Sequence, residues 1–220
     1  MSVSIGPRIA ALLSAAFALF LFLGVASVDV PLKVDDQEMV AWWSKSGNQV
    51  SAIVSMYFVA ISAVAFALFM TYLRDRLNAD GGNSGNSMYA LGLAFAGLLL
   101  VAAATRGTIG NAVKINDEPL PGVDTLRYLP QLGYAFMNIA LITGGACLVL
   151  VAVAIKRTAE LPAWFAWTSL AAGLLVLVAT PFAGSSTLPI LWVWALAASV
   201  SVWRFPIAVT PARQPAATPS

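Results

Sequence analysis

Histidine is absent from the 220 residues, and cysteine occurs once, at Cys147. Those two counts remove bis-histidine haem ligation, histidine-containing zinc sites, catalytic triads built on imidazole, and internal disulfides. Charge is nearly as scarce: Asp, Glu, Lys and Arg make up 10% of the chain, where a soluble domain carries roughly a quarter. Basic stretches with interleaved aromatics are also missing, so nucleic acid is not an expected partner. Asp35, Asp36 and Glu38 are the densest acids, but they lack the alternation, the central glycine and the distant glutamate of a calcium loop. They read as a solvated acidic turn. From the residues, the expected catalytic set, metal set and cofactor are all none.

Hydrophobic residues make up 60% of the chain, more than a water-soluble fold could hide, which places it in the membrane class. The apolar residues fall in six runs, at about 9–27, 50–73, 88–105, 132–155, 164–183 and 188–203. About 20 helical residues cross the hydrocarbon, so the pattern predicts an all-α polytopic membrane protein, a bundle of six transmembrane helices forming one domain over 1–204. The last run is short by roughly one turn. The first run ends in Val25-Ala26-Ser27, small residues of the kind a signal peptidase cuts after, yet it is long for a signal core and is read as a retained helix.

Between the runs lie three kinds of connection. Val28–Gln49 is polar and carries four acids with the tandem Trp42-Trp43; Arg106–Pro130 contains two turn signals, Asn116-Asp117-Glu118-Pro119 and Pro121-Gly122. Asn78–Ser87 has the composition of a flexible hinge. The tail 205–220 has four prolines and no periodicity, and is expected to be a disordered cytoplasmic segment. Bases at Arg8, Arg74, Arg76, Lys156, Arg157, Arg204 and Arg213 fall on one side of this topology, several within two residues of a span; Lys33, Lys45, Arg106, Lys114 and Arg127 fall on the other. The positive-inside rule then puts both termini in the cytoplasm. No internal repeat joins the two halves, so the inverted-repeat signature of many transporters is missing.

Candidate binding residues come from the two outer segments and the span that follows. Most tryptophans lie near span ends and suit an interfacial belt, but Trp42 and Trp43 are consecutive and cannot face the same way on a short helix. One is free to rest on the membrane while the other lines an outer pocket. Arg106 and Arg127 bracket the second outer segment, either as surface ion pairs with the acids of the first or as a site for an anionic group. Asn138 lies in the fourth span with Tyr134 one turn earlier, and an amide in hydrocarbon requires a partner, usually on another helix. Ser51/Ser55, Gly92/Ala96 and Ala140/Gly144 are small-residue pairs that permit close helix approach. No ionisable residue lies inside a span, which disfavours ion-coupled carriers.

Three stretches, Trp42-Trp43 with Ser46-Gly47-Asn48, Leu129-Pro130-Gln131-Leu132-Gly133-Tyr134, and Leu161-Pro162 with Trp164 and Trp167, resemble a widespread group of uncharacterised multi-pass membrane proteins from actinobacteria. The resemblance covers about Ile9 to Arg204. It implies a bacterial inner (cell) membrane and a six-helix bundle, and it assigns no functional residue. The expectation from the sequence is a non-enzymatic membrane protein that binds a lipid, an apolar small molecule or a larger membrane complex through its two outer loops. The expected ligand-binding residues are Trp42, Trp43, Arg106, Arg127, Tyr134 and Asn138. Expected partners are membrane lipids and a membrane-protein partner or a second copy. A channel or facilitative transporter for a neutral solute is the alternative, with Asn138, Thr143, Ser51 and Ser55 on one lining; an enzyme using Asp35 or Asp36 is a third reading.

Overall fold

The computed structural model describes residues 5–78 and 83–205, and within them every regular element is a helix, with no strand. The helices are α1 (Pro7–Ala26), α2 (Asp36–Trp43), α3 (Ser46–Leu77), α4 (Ser84–Lys114), α5 (Val123–Thr158), α6 (Ala163–Ala183) and α7 (Leu188–Arg204), with one 3-10 turn at Gly184–Thr187. Five helical stretches are long and apolar enough to cross a membrane, and the fifth, Ala163–Arg204, folds back on itself at that turn. The expected six legs are therefore present as α1, α3, α4, α5, α6 and α7. Of the expected tail, only Phe205 lies within the described residues.

Two expected loops are shorter than the sequence suggested. Arg106–Pro130 is mostly helix, because α4 continues to Lys114 and α5 already begins at Val123, leaving 115–122 as the connection. Hydropathy ends at Arg106, but Ile109 and Val113 still fall one turn apart and face a buried cluster, which keeps the helix docked. The turn signals do mark the connection itself: Asp117 has a left-handed backbone, φ 55°, which Asp tolerates better than most residues. Likewise α4 starts at Ser84, inside the Asn78–Ser87 hinge, of which 79–82 lie outside the described residues.

The six legs form a closed ring in which the contacting pairs are α1–α3, α3–α4, α4–α5, α5–α6, α6–α7 and α7–α1. Polar side chains fix the register between legs far apart in sequence. Ser14 Oγ donates to the Ala195 carbonyl at 2.8 Å and Ser199 Oγ to the Ala11 carbonyl at 2.8 Å, so α1 and α7 run antiparallel. Arg76 gathers three helix ends at one end of the ring, donating to the Tyr72 hydroxyl at 3.2 Å, the Glu160 carbonyl at 2.7 Å and the Phe205 carbonyl at 2.8 Å. A cation there also opposes the partial negative charge at the C-terminal ends of α3, α5 and α7. The start of α1 and the end of α7 thus lie at the same end of the molecule.

Aromatic side chains fill the centre of the ring. Phe17, Phe66 and Phe95 meet at centroid distances of 4.7–6.1 Å, and Trp194 extends the cluster to Phe66, Phe69 and Phe165 at 6.0–6.5 Å. The helices approach closely where glycines allow it. A Cβ on Gly144 would stand 2.9 Å from the Phe95 ring, and one on Gly173 would stand 2.7 Å from the Gly145 carbonyl oxygen.

At the end opposite Arg76 the chain builds a cap with its own core. Met39 and Trp43 from α2 and Val28 and Val30 from the preceding strap are buried against Ala52 of α3, Ile109 of α4 and Leu126 of α5. Asp35 caps α2, its carboxylate accepting the Glu38 N–H at 2.8 Å. Two amides from the start of α3 receive the far end of that helix: Gln49 Nε2 donates to the Trp43 carbonyl at 2.8 Å and Asn48 Nδ2 to the Trp42 carbonyl at 2.7 Å.

Candidate functional site beneath and upon the cap

Arg127, Gln131, Tyr134 and Asn138 fall at steps of four, three and four along α5, which places them on one face of the helix. That face runs from the cap down into the bundle, and three of these residues were expected to bind ligand. At its upper end Arg127 donates to the Asp36 carboxylate at 2.8 Å and to the Leu32 carbonyl at 3.4 Å, tying α5 to the start of α2 and to the strap. The Asp36 carboxylate is mostly exposed, so this ion pair contributes at most about 1 kcal/mol.

One level down, Arg106 and Tyr134, both expected among the ligand-binding residues, meet each other. The guanidinium lies over the phenol ring, 5.1 Å from its centroid, and donates to the Val28 carbonyl at 3.2 Å. Gly133 makes room for it, since a Cβ there would approach the Arg106 stem to 2.9 Å. Arg106 is 5% exposed: the strap covers it, so it is neither the surface ion pair nor the accessible anion site weighed from the sequence but a closed joint between cap and bundle. Asn138 lies lower still, against the 3-10 turn between α6 and α7, where a Cβ on Gly184 would stand 3.4 Å from its Oδ1. That oxygen is buried and accepts no hydrogen bond. The adjoining turn satisfies itself, with the Thr180 and Thr187 hydroxyls 3.1 Å apart and Thr187 donating to the Gly184 carbonyl at 2.9 Å.

The tandem tryptophans do not divide between membrane and pocket. Trp43 is fully buried in the cap core and Trp42 packs edge-on against it, with centroids 4.8 Å apart and planes at 81°. Neither is among the residues that outline the depression on the cap. The four polar residues of the expected channel lining are also dispersed. Ser55 donates across the α1–α3 contact to the Gly24 carbonyl at 2.6 Å, while Thr143 faces outward and bonds to Ile139 of its own helix at 3.0 Å. The small-residue pairs behave as expected at Ser55, Gly92 and Gly144, each of which admits a neighbouring helix.

Sequence reasoning missed the outward face of α2. Met39 and Trp43, one turn apart, turn inward; Asp36 and Val40, also one turn apart, turn outward. Asp36, Gln37, Val40 and Ala41 of α2 and Val123 of α5 outline a shallow depression of about 510 Å³. Val40 is an exposed apolar residue, and the one acid that outlines the depression with it, Asp36, is already paired with Arg127. The period was readable, but which half of it faced outward depended on the cap core. Among the described residues no group of three or more Cys, Asp or Glu is placed to hold a metal ion. The chain matches no protein-family model, no curated protein and no solved structure.

Proposed function

We propose that this is a non-enzymatic accessory subunit of a membrane complex, which docks a partner protein through the capped end. The observation that carries the reading is the cap itself. Two loop segments and the ends of three helices are ordered by a dedicated core, yet the surface they present on α2 is a shallow depression outlined by exposed Val40 and Ala41, Gln37, Val123 and the Arg127-paired Asp36. A surface held this rigidly loses little further freedom on binding, and exposed Val40 and Ala41 offer a partner a small apolar contact beside the Asp36–Arg127 pair. Beneath it the expected ligand groove is occupied by Arg106, Tyr134 and the strap, which favours docking on the cap over uptake of a small molecule.

In this reading the protein lies in a bacterial inner membrane with six legs and both termini cytoplasmic. The end carrying Arg8, Arg74, Arg76, Lys156, Arg157 and Arg204 is then the inner one, and the cap faces outward. Native mass spectrometry after gentle extraction from the protein's own membrane tests the proposal. The expected result is a stoichiometric second protein that is lost from the Val40→Arg/Gln37→Lys double variant and kept by an Arg157→Ala control. A wild-type protein that leaves the membrane alone, or a partner indifferent to the α2 changes, would sink it.

A further inference from the structure

The ring has one loose seam. α6 leans on α5 through Gly145 and Gly173, and α7 leans on α1 through Ser14 and Ser199, while α6 and α7 touch each other least of any neighbouring legs. A single side chain closes the gap. The Trp194 indole stacks on Phe165 at 6.0 Å and donates through Nε1 to the Ser169 hydroxyl at 2.9 Å.

Outside that indole lies an apolar furrow of about 480 Å³, walled by Ala171 and Leu175 of α6 and by Ile190 and Val193 of α7. The one hydroxyl on its lining, that of Thr168, is already bonded to the Trp164 carbonyl at 2.9 Å. Hydrocarbon can therefore fill the furrow without stranding a polar group. Helical spacing carries both walls to the same end of the molecule. Leu175, Ala171, Thr168 and Trp164 descend α6 at steps of four, three and four, and Val193, Ala197, Val200 and Arg204 descend α7 in the same way. The furrow thus runs out between an exposed indole and an exposed guanidinium. Beside it, the Lys156 ammonium stands 3.3 Å from the centroid of the exposed Trp167 ring.

A second apolar furrow, about 410 Å³ between α1 and α3, ends differently. The same steps along α3 lead from Val64 and Leu68 to Asp75, an exposed carboxylate paired with Arg74 at 2.7 Å. Both furrows suit hydrocarbon, but the helical steps lead to the Arg204 guanidinium from the α6–α7 furrow and to the Asp75 carboxylate along α3.

We propose that the α6–α7 furrow binds one acyl chain of an anionic phospholipid, whose headgroup lies against Arg204 with Lys156 supplying a second charge. Arg204 offers the planar fork that suits a phosphodiester, and Trp164 and Trp167 sit at the level indoles prefer in a bilayer. The site is independent of the docking role assigned to the cap and lies at the other end of the molecule.

The test uses the full chain, exchanged through detergent into a defined mixture of phosphatidylglycerol and phosphatidylcholine, with retained lipid read by native mass spectrometry. Phosphatidylglycerol is expected to be retained over phosphatidylcholine, and Arg204→Gln is expected to reduce that preference about fivefold, as one interfacial base does. Ala171→Phe, which fills the furrow from an exposed position, is expected to abolish retention, as is Val193→Trp from the opposite wall. Ala60→Phe in the α1–α3 furrow is the matched control and should change nothing. Equal retention of the two lipids, indifference to Arg204→Gln, or unchanged retention in both filling variants overturns the proposal. So does a dimer that Ala171→Phe dissociates, since a second copy would then occupy the furrow.

Discussion

Gly173→Ala gives the sharpest test of how the bundle holds together. α5 and α6 meet glycine to glycine, and the methyl carbon added at 173 would stand 2.7 Å from the Gly145 carbonyl oxygen, 2.9 Å from Val149 Cγ2 and 3.0 Å from the Val149 nitrogen. A carbon rests against a carbonyl oxygen no closer than about 3.3 Å, so the helices must part by roughly 0.6 Å. Two of the three obstructing atoms are backbone and cannot rotate away. Overpacking of this kind costs about 1–3 kcal/mol, while alanine regains about 1 kcal/mol of helix propensity over glycine. Gly97→Ala, where nothing lies within 4 Å of the new carbon, receives the propensity gain alone. The expected gap between the two variants is therefore the clash itself, about 2 kcal/mol, or roughly 4–8 °C in a chain of this length. Thermal or detergent-titrated unfolding of both in one mild detergent measures it. Adding Gly145→Ala should be sub-additive, because helices already parted by the first methyl accept the second more cheaply. If Gly173→Ala unfolds within about 0.5 kcal/mol of Gly97→Ala, a gap smaller than the overpacking range allows, the α5–α6 contact is not the close crossing described here.

Arg76→Ala should destabilise the fold by about 2–4 kcal/mol, since it strands two carbonyls that accept from a buried cation. Arg76→Lys should restore only part of this, because an ammonium cannot span the Tyr72 hydroxyl and both carbonyls, as equilibrium unfolding would show. Cys147 is fully buried, with its thiol donating to the Met88 carbonyl at 3.3 Å; a maleimide should leave it untouched in the native protein and modify it quantitatively once SDS has unfolded the bundle. With Cys147 silent, Ser44→Cys on the cap should react with an impermeant maleimide from outside intact cells and Arg157→Cys only after permeabilisation. The reverse pattern would invert the proposed orientation.

The legs were legible because membrane-crossing runs are apolar all round, and composition alone marks them. Their true ends were not. α4 and α5 outrun their apolar runs by two turns or more, since past Arg106 the apolar residues shrink to a single stripe, Ile109 and Val113 answered by Leu126 and Leu129. Such a stripe stays helical only when something covers it, and the cover comes from Val28, Val30, Met39 and Trp43, far away in the chain. The tryptophans show the same limit. Trp164, Trp167 and Trp203 are 44%, 60% and 56% exposed and suit an interfacial belt, whereas Trp194 is 1% exposed and closes the ring. Its partners, Phe165 and Ser169, become neighbours only through the register of the α6–α7 hairpin.

At the candidate site, spacing could find the members but not the lid. Tyr134 and Asn138 share a face of α5 by periodicity, and the small residue at 133 hints that something bulky lies alongside, so Arg106 beside Tyr134 was within reach of the sequence. What the sequence could not supply is the carbonyl of Val28, which turns Arg106 from a charge at an open mouth into a buried link. The same strap hides Trp43 and exposes Val40, because α2 has one period and two faces and only the tertiary cover decides which is which. The surface proposed for docking therefore lies one layer outside the residues richest in chemistry, on the helix that covers them.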